Sequence, residues 1–276
     1  MDMAVPGGKA RPATPARIYD YLLGGIHNFP ADQEAGRRLI ELSADTRTIA
    51  QVNRAFLGRA VRYLAGAGIR QFLDIGSGIP TQGNVHEIAQ RLAPDSRVVY
   101  VDIDPVAVAE SLDILAGNPN ATAILGDVRN PGQILGHASV RRLLDLTQPT
   151  ALLLVAVLHF ISDDDRPHAA VAELVDALPV GGYLALSHGT TEVHAPESNG
   201  NLVTTDLYKR QAATAVQTRT RPEVERFFTG LDLVEPGLVW LSEWRPDPEA
   251  PGPFAATPER SLVRAGVAVK RTRTAG

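Results

Sequence analysis

The stretch QFLDIGSGIP, from Gln71 to Pro80, leaves this chain few architectures to choose from. Phe72, Leu73 and Ile75 form a short run suited to a buried strand. Gly76 and Gly78 then permit a tight turn at positive φ, with Asp74 standing just before them. Such a turn lets the backbone come close to a ligand. The next apolar run, Arg97 to Val101, reads as a second strand and delivers Asp102 to its carboxyl end. In a doubly wound sheet an acid at this point, roughly 20 residues past the glycines, meets a ribose.

The spacing is shared with dinucleotide enzymes, so the local residues decide. Thr81 stands where a dinucleotide fingerprint wants its third glycine, and Asp74 where that fingerprint is usually apolar. Pro80 removes an amide that would otherwise face a pyrophosphate. A sulfonium cofactor has no phosphate to cradle, and an acidic residue suits its charge. The pattern DxGxG, with an acid ending the next strand, resembles that of S-adenosylmethionine-dependent methyltransferases.

The rest of the chain fits one α/β domain. Its 276 residues can hold a large core with an added cap, and 44 % hydrophobic with 21 % charged residues is ordinary globular composition. A net charge of −4 gives no basic face for nucleic acid. With no cysteine, disulfides, thiolate metal sites and a cysteine nucleophile are excluded. No His or acidic cluster has metal-ligand spacing, so no metal is expected. Neither a long apolar run nor a secretory leader is evident, and a cytoplasmic protein without membrane contact is the expectation.

Residues 1–13, rich in Pro, Gly and Ala, read as disordered, and residues 14–67 as a helical cap. Thr14 and Pro15 start a short helix, with Thr14 as its N-cap. A second helix runs from about Asp32 to Leu42 and a third from Thr46 to Ala65. From Gly68 onward strand and helix alternate. Strands are expected at 71–75, 97–101, 122–125, 150–157 and 183–187, with helices near 84–92, 106–115, 139–146 and from Pro167 to Leu178. Residues 188–217 break the rhythm and read as an insertion, helical around 202–216. A helix from Thr220 to Phe228, a strand or two within 233–244, a proline-rich loop at 246–258 and a last strand at 261–271 close the chain.

Longer blocks point to one group. PARIYDYLLGG (Pro15 to Gly25), HNFPAD (His27 to Asp32), VNRAFLGRAVRYL (Val52 to Leu64), QFLDIGSGIPTQGNVHEIA (Gln71 to Ala89), VVYVDIDP (Val98 to Pro105), LGDVRNP (Leu125 to Pro131) and VLHFISD (Val157 to Asp163) are collinear over most of the chain. Together they resemble an actinobacterial family of S-adenosyl methyltransferases long catalogued as a domain of unknown function. The resemblance implies a Rossmann-like class I methyltransferase: a mostly parallel seven-stranded sheet, helices on both faces, and residues 68–276 as the cofactor-binding core beneath the cap. S-adenosyl-L-methionine is then the cofactor and a small molecule the methyl acceptor.

Site residues follow. Asp74, Gly76, Ser77 and Gly78 are placed at the cofactor's amino-acid end, and Asp102 at the ribose. Asp104 is an alternative ribose acid, or the N-cap of the next helix before Pro105. Similar methyltransferases present a carboxylate to the adenine amino group where Asp127 stands, with Val128 and Ile103 against the ring. His159, just past the fourth strand, is the candidate base or substrate contact, and His188 a second one. Arg17, Tyr19, Tyr21, Asn28 and Phe29 read as a lid over the acceptor, hinged at Gly24 and Gly25. Two other readings stay open: a nucleotide-dependent oxidoreductase, and a non-catalytic module that keeps the fold.

Overall fold

The computed structural model describes residues 12–81, 83–191 and 216–272. Five parallel strands follow the expected alternation: β1 (Gln71–Ile75), β2 (Arg97–Asp102), β3 (Ala121–Leu125), β4 (Ala151–Val155) and β5 (Tyr183–Gly189). They lie in the order β3-β2-β1-β4-β5, and a long final strand, β8 (Val263–Val269), joins antiparallel to β5. Reversal in β8 brings its beginning to the carboxyl edge of the sheet, where Val263 pairs with Gly189.

The sheet has eight strands rather than seven. Two short strands, β6 (Asp232–Leu233) and β7 (Val239–Trp240), both pair with β8, one beside Ala268 and Val269 and the other beside Arg264 and Ala265. They lie where a strand or two was expected. Between them Pro236 has no N–H to give to a ladder, and Gly237 sits at φ +90°, so the strand is interrupted.

Alternation along the strands divides the core. Phe72, Tyr100, Leu153, Ala185 and Val267 face α3 (Thr46–Gly66), whose Phe56, Ala60 and Leu64 meet them together with Trp244. Leu73, Ile75, Val99, Leu152 and Leu154 face the other way, toward Val171 and Leu174 of α8 (Pro167–Asp176). Both faces of β4 are covered, as its unbroken apolar run requires.

Elsewhere the helices differ from expectation in detail. The helix expected near 139–146 is α7 (Ala138–Leu143), and another that was not expected, α6 (Pro131–Gly136), precedes it. His137 between them is extended, and its Nδ1 accepts from the Ser139 N–H to start the second. The helix expected from Thr220 to Phe228 is α9 (Arg221–Glu225), tightening into a 3-10 turn at Arg226–Phe228. The helical segment expected around 202–216 lies almost wholly outside the described residues.

The cap comprises α1 (Pro15–Leu22), α2 (Pro30–Leu42) and α3. A small cluster of Ala13, Ile18, Leu22, Ala35, Leu39 and Ala50 holds these helices together. Ala13 is buried in it, so order reaches further toward the amino terminus than the composition suggested.

Candidate active site

A cavity of about 1060 Å³ runs along the carboxyl edge of the sheet. Its lining divides by element. Over β1, β2 and β3 it is built from the turns that follow those strands: residues 74–78, 102–105 and 126–129. Over β4, β5 and β8 it is built from the turn after β4, Gly189, Val216 and Thr218, residues 259–263, and the start of α3 with the link before it.

In the first half, Gly76 and Gly78 serve different ends. Gly76, at φ +72°, lies against Val157, whose side chain a Cβ would overlap; Gly78, at φ +62°, faces open space and is needed for its backbone angle. The turn is clamped by Asp102, one of whose oxygens accepts from the Gly78 N–H at 2.7 Å and the other from the Asp104 N–H at 2.9 Å. Burial raises the Asp102 carboxyl above the usual range, against these donors. Each oxygen keeps a lone pair for another donor.

Asp74 is buried at the end of β1. Burial pushes its carboxyl up to about 7, the Arg54 guanidinium opposing the shift and Asp102 adding to it. Such a group gains from a cation placed beside it. Arg54, on α3, also lines the cavity, and the Oδ1 of Asn84 accepts from it at 2.9 Å. Sequence reasoning missed Arg54, which lies in an amphipathic helix with no motif of its own.

Asp104 caps α5 (Pro105–Ile114), its Oδ1 accepting from the Val106 N–H at 2.9 Å. Asp127 is held by Arg129, with nitrogen–oxygen distances of 2.6 to 3.0 Å. Burial disfavours the charged form of Asp127, but the Arg129 donors outweigh it and keep the carboxyl below the usual range. Val128 is buried, whereas Ile103 is 59 % exposed although it lines the cavity. An exposed isoleucine in a cleft offers apolar surface to a flat ring.

The cap residues arrange themselves differently from a mobile lid. Of the five lid candidates only Tyr19 lines the cavity. Arg17 is buried and turned inward, bonded to Asp32 at 3.0 Å and Asp104 at 3.1 Å, and it also donates to the Pro12 carbonyl. A guanidinium so enclosed needs these carboxylates for itself. Thr14 does not cap α1 with its side chain; its hydroxyl donates to Asp104 at 2.6 Å. Tyr21 packs against Gly36, Phe29 lies under the Arg17 guanidinium, and Asn28 bonds to Asp20, Gly25 and Gln33.

Gly25 is also no simple hinge. A Cβ there would run into the Asp20 carboxylate, which accepts from the His27 N–H, Asn28 and Thr81. Thr81, found in place of a third glycine, thus fastens the glycine turn to the cap. Tyr19 donates to the Ala50 carbonyl and accepts from Asn53, whose Oδ1 accepts from Ser187. Ser187 in turn accepts from the N–H of Ala156, the residue at φ +57° that ends β4.

His159 follows in a 3-10 turn (Leu158–Phe160) and lines the cavity. Burial, with help from Arg219, pushes it down to about 4. Its Nδ1 accepts from the Gly189 N–H at 3.4 Å, which leaves the proton on Nε2. His188 is fully buried, donates from Nδ1 to the Gly189 carbonyl and accepts at Nε2 from Arg219 at 2.7 Å. It does not line the cavity and cannot meet an acceptor there. Arg219, also unforeseen, holds the Leu158 and Ile161 carbonyls, Asp163 and His188 together.

These features define a class: a doubly wound sheet with an antiparallel closing strand, and a glycine turn clamped by the acid that ends the next strand, belong to a class I methyltransferase. The chain belongs to the S-adenosyl methyltransferase family, which it matches over residues 9–271. Its cofactor is S-adenosylmethionine.

Two solved structures are similar along their whole lengths. One is a DUF574 family protein from Streptomyces avermitilis MA-4680, 42 % identical, covering 94 % of this chain and 98 % of that one, with a TM-score of 0.85. Another is a candidate methyltransferase from Thermobifida fusca YX, 39 % identical over 95 % of this chain and 96 % of that one, with a TM-score of 0.87. No curated protein matches. Among the described residues no cluster could hold a metal ion, and no helix is long and apolar enough to cross a membrane.

Proposed function

We propose that this protein transfers a methyl group from S-adenosylmethionine to a small molecule held in the second half of the cavity. The observation that carries this reading is the continuity of the space. One ligand site usually measures roughly 300–1,000 Å³, and about 1060 Å³ spread over both halves of the sheet leaves room for two molecules side by side.

Asp74 and Arg54 would face the zwitterionic end of the cofactor, the carboxylate toward its ammonium and the guanidinium toward its carboxylate. Asp102 would receive the ribose hydroxyls. Ile103 and Val128 would bracket the adenine, with a free lone pair of Asp127 toward its amino group. S-adenosylmethionine supplies an electrophilic methyl carbon, whose bond to sulfur breaks as the acceptor's lone pair attacks in line and the bonding electrons return to sulfur.

The protein's own task is then to align the acceptor and exclude water. His159, uncharged at neutral pH and protonated at Nε2, would hold the acceptor by donating a hydrogen bond rather than by taking its proton. An acceptor that must lose a proton would pass it to water.

Calorimetric titration with S-adenosylmethionine, S-adenosylhomocysteine and NAD tests the reading. Micromolar binding of the first two and none of NAD is expected. Binding of NAD alone, or of none of the three, overturns it.

A further inference from the structure

We infer that the second half of the cavity takes a neutral, largely apolar acceptor and rejects anionic ones. The inference rests on the methyltransferase reading, because that reading makes this half the acceptor's place.

Its walls come from Leu42 and Ile49 of the cap, Phe160 and Ile161 after β4, and Leu262 before β8. Several polar side chains among them are turned back on the protein. Thr46 donates to the Leu39 carbonyl at 3.0 Å, and Ser261 to the Pro258 carbonyl at 2.8 Å. Tyr19 and Asn53 are engaged in the chain that ends at Ala156.

The charges are arranged likewise. Asp45 and Arg260 close on each other in a two-pronged pair at 2.7 and 2.9 Å. Their charges cancel, so the pair presents no net charge to a ligand. Glu259, part exposed, adds a negative charge that disfavours an anion. His159 carries no charge at neutral pH, so it cannot balance an anionic acceptor either. Among the described residues an anion entering this half would lose water without finding a free counter-charge, whereas an apolar molecule would gain from leaving water. Among the described residues the hydrogen bonds on offer are neutral ones, from Nε2 of His159 and the hydroxyls of Ser43 and Thr218, and the first suits a polar atom at the reacting end.

The test uses the full-length protein saturated with S-adenosylhomocysteine, titrated at neutral pH with three molecules of similar size: 2-naphthol, 2-naphthoate and 2-naphthylmethylammonium. The naphthol should bind about 10-fold or more tightly than the naphthoate, and no more weakly than the ammonium. Leu42→Asp and Ile49→Asp should each abolish its binding while leaving affinity for S-adenosylhomocysteine within about two-fold. Leu42 is already 37 % exposed, so a charge there is compatible with folding.

Naphthoate binding as tightly as the naphthol, or the ammonium binding more tightly than it, overturns the inference. So does naphthol binding that survives in both variants, or no binding of any of the three at millimolar concentration. Loss of S-adenosylhomocysteine binding by the unaltered protein is a separate readout, and it strikes the methyltransferase reading instead.

Discussion

The two halves of the cavity share one sheet edge but are built on opposite plans. Over β1 to β3 the groups are poised for something else to complete them: a carboxyl pushed up to about 7 at Asp74, spare lone pairs on Asp102, a bare isoleucine at 103. Over β4, β5 and β8 Thr46, Ser261 and the Asp45–Arg260 pair are already matched within the protein, and much of the wall is aliphatic or aromatic. The first half is specific for one charged, hydrogen-bonding molecule. The second is shaped by exclusion, and would select its ligand mainly by apolar fit.

The contrast is most open to challenge at Asp102. Asp102→Ala removes the ribose acceptor and also frees the Gly78 and Asp104 amides, so cofactor affinity should fall by at least about 3 kcal/mol, roughly 100-fold. A calorimetric loss below about 5-fold would pass the ribose to another group.

Asp74 comes next. Because its carboxyl is raised in the folded protein, the native state holds a proton that the unfolded chain gives up near pH 4. The resulting stability is full below that value and is lost as pH climbs through about 7. Between about pH 4 and 7 the unaltered protein should lose up to about 1.4 kcal/mol of stability per pH unit from this group alone. Asp74→Asn should flatten that slope and raise the melting temperature above pH 7. Cofactor affinity should move the other way. In the unaltered protein it should rise with pH up to about 7, as the carboxylate that faces the ammonium forms, and in the variant it should be weak and flat. A variant that gains stability without losing affinity would remove Asp74 from the ligand site.

A smaller effect is expected at Gly76→Ala, about 1–3 kcal/mol of stability, because the new methyl meets Val157 and the backbone angle is positive. Trimming the neighbour in a Gly76→Ala/Val157→Ala double variant should recover part of the loss in a denaturant melt. Smallest should be Arg260→Ala, below about 1 kcal/mol, since the pair with Asp45 is exposed on the arginine side. Cofactor affinity should not change, yet an unmatched Asp45 should weaken 2-naphthol binding. Equal losses for both ligands would erase the distinction between the halves.

The same contrast explains what could be read from the sequence. Each cofactor segment directly follows a strand, so DIGSG, DIDP and GDV carry their position in the local pattern, and all eight residues picked there line the cavity. The N-cap role offered for Asp104 as an alternative is present as well. Acceptor-side walls depend instead on contacts between distant segments. Residues 259–263 reach the site only because β8 runs antiparallel beside β5, in a register that no short motif encodes.

The cap misled for a related reason. Charged and aromatic residues on a short helix suggested a solvent-facing lid, but Arg17, Asp20 and Asp32 are buried and satisfy one another or their neighbours, the Arg17 contacts spanning 15 and 87 residues of sequence. Arg219 organises the turn after β4 in the same long-range fashion. A lone arginine carries no sign in sequence that four partners await it.

One such contact bears on how these proteins could diversify. Arg17 and Thr14 both end on Asp104, which begins α5 beside the ribose acid. The amino-terminal segment and the β2–α5 junction are therefore bound to change together. A chimera that borrowed a relative's first helices while keeping a different residue at 104 would leave a buried guanidinium with one of its two carboxylates, so this cap is matched to the β2–α5 junction and is not an interchangeable module.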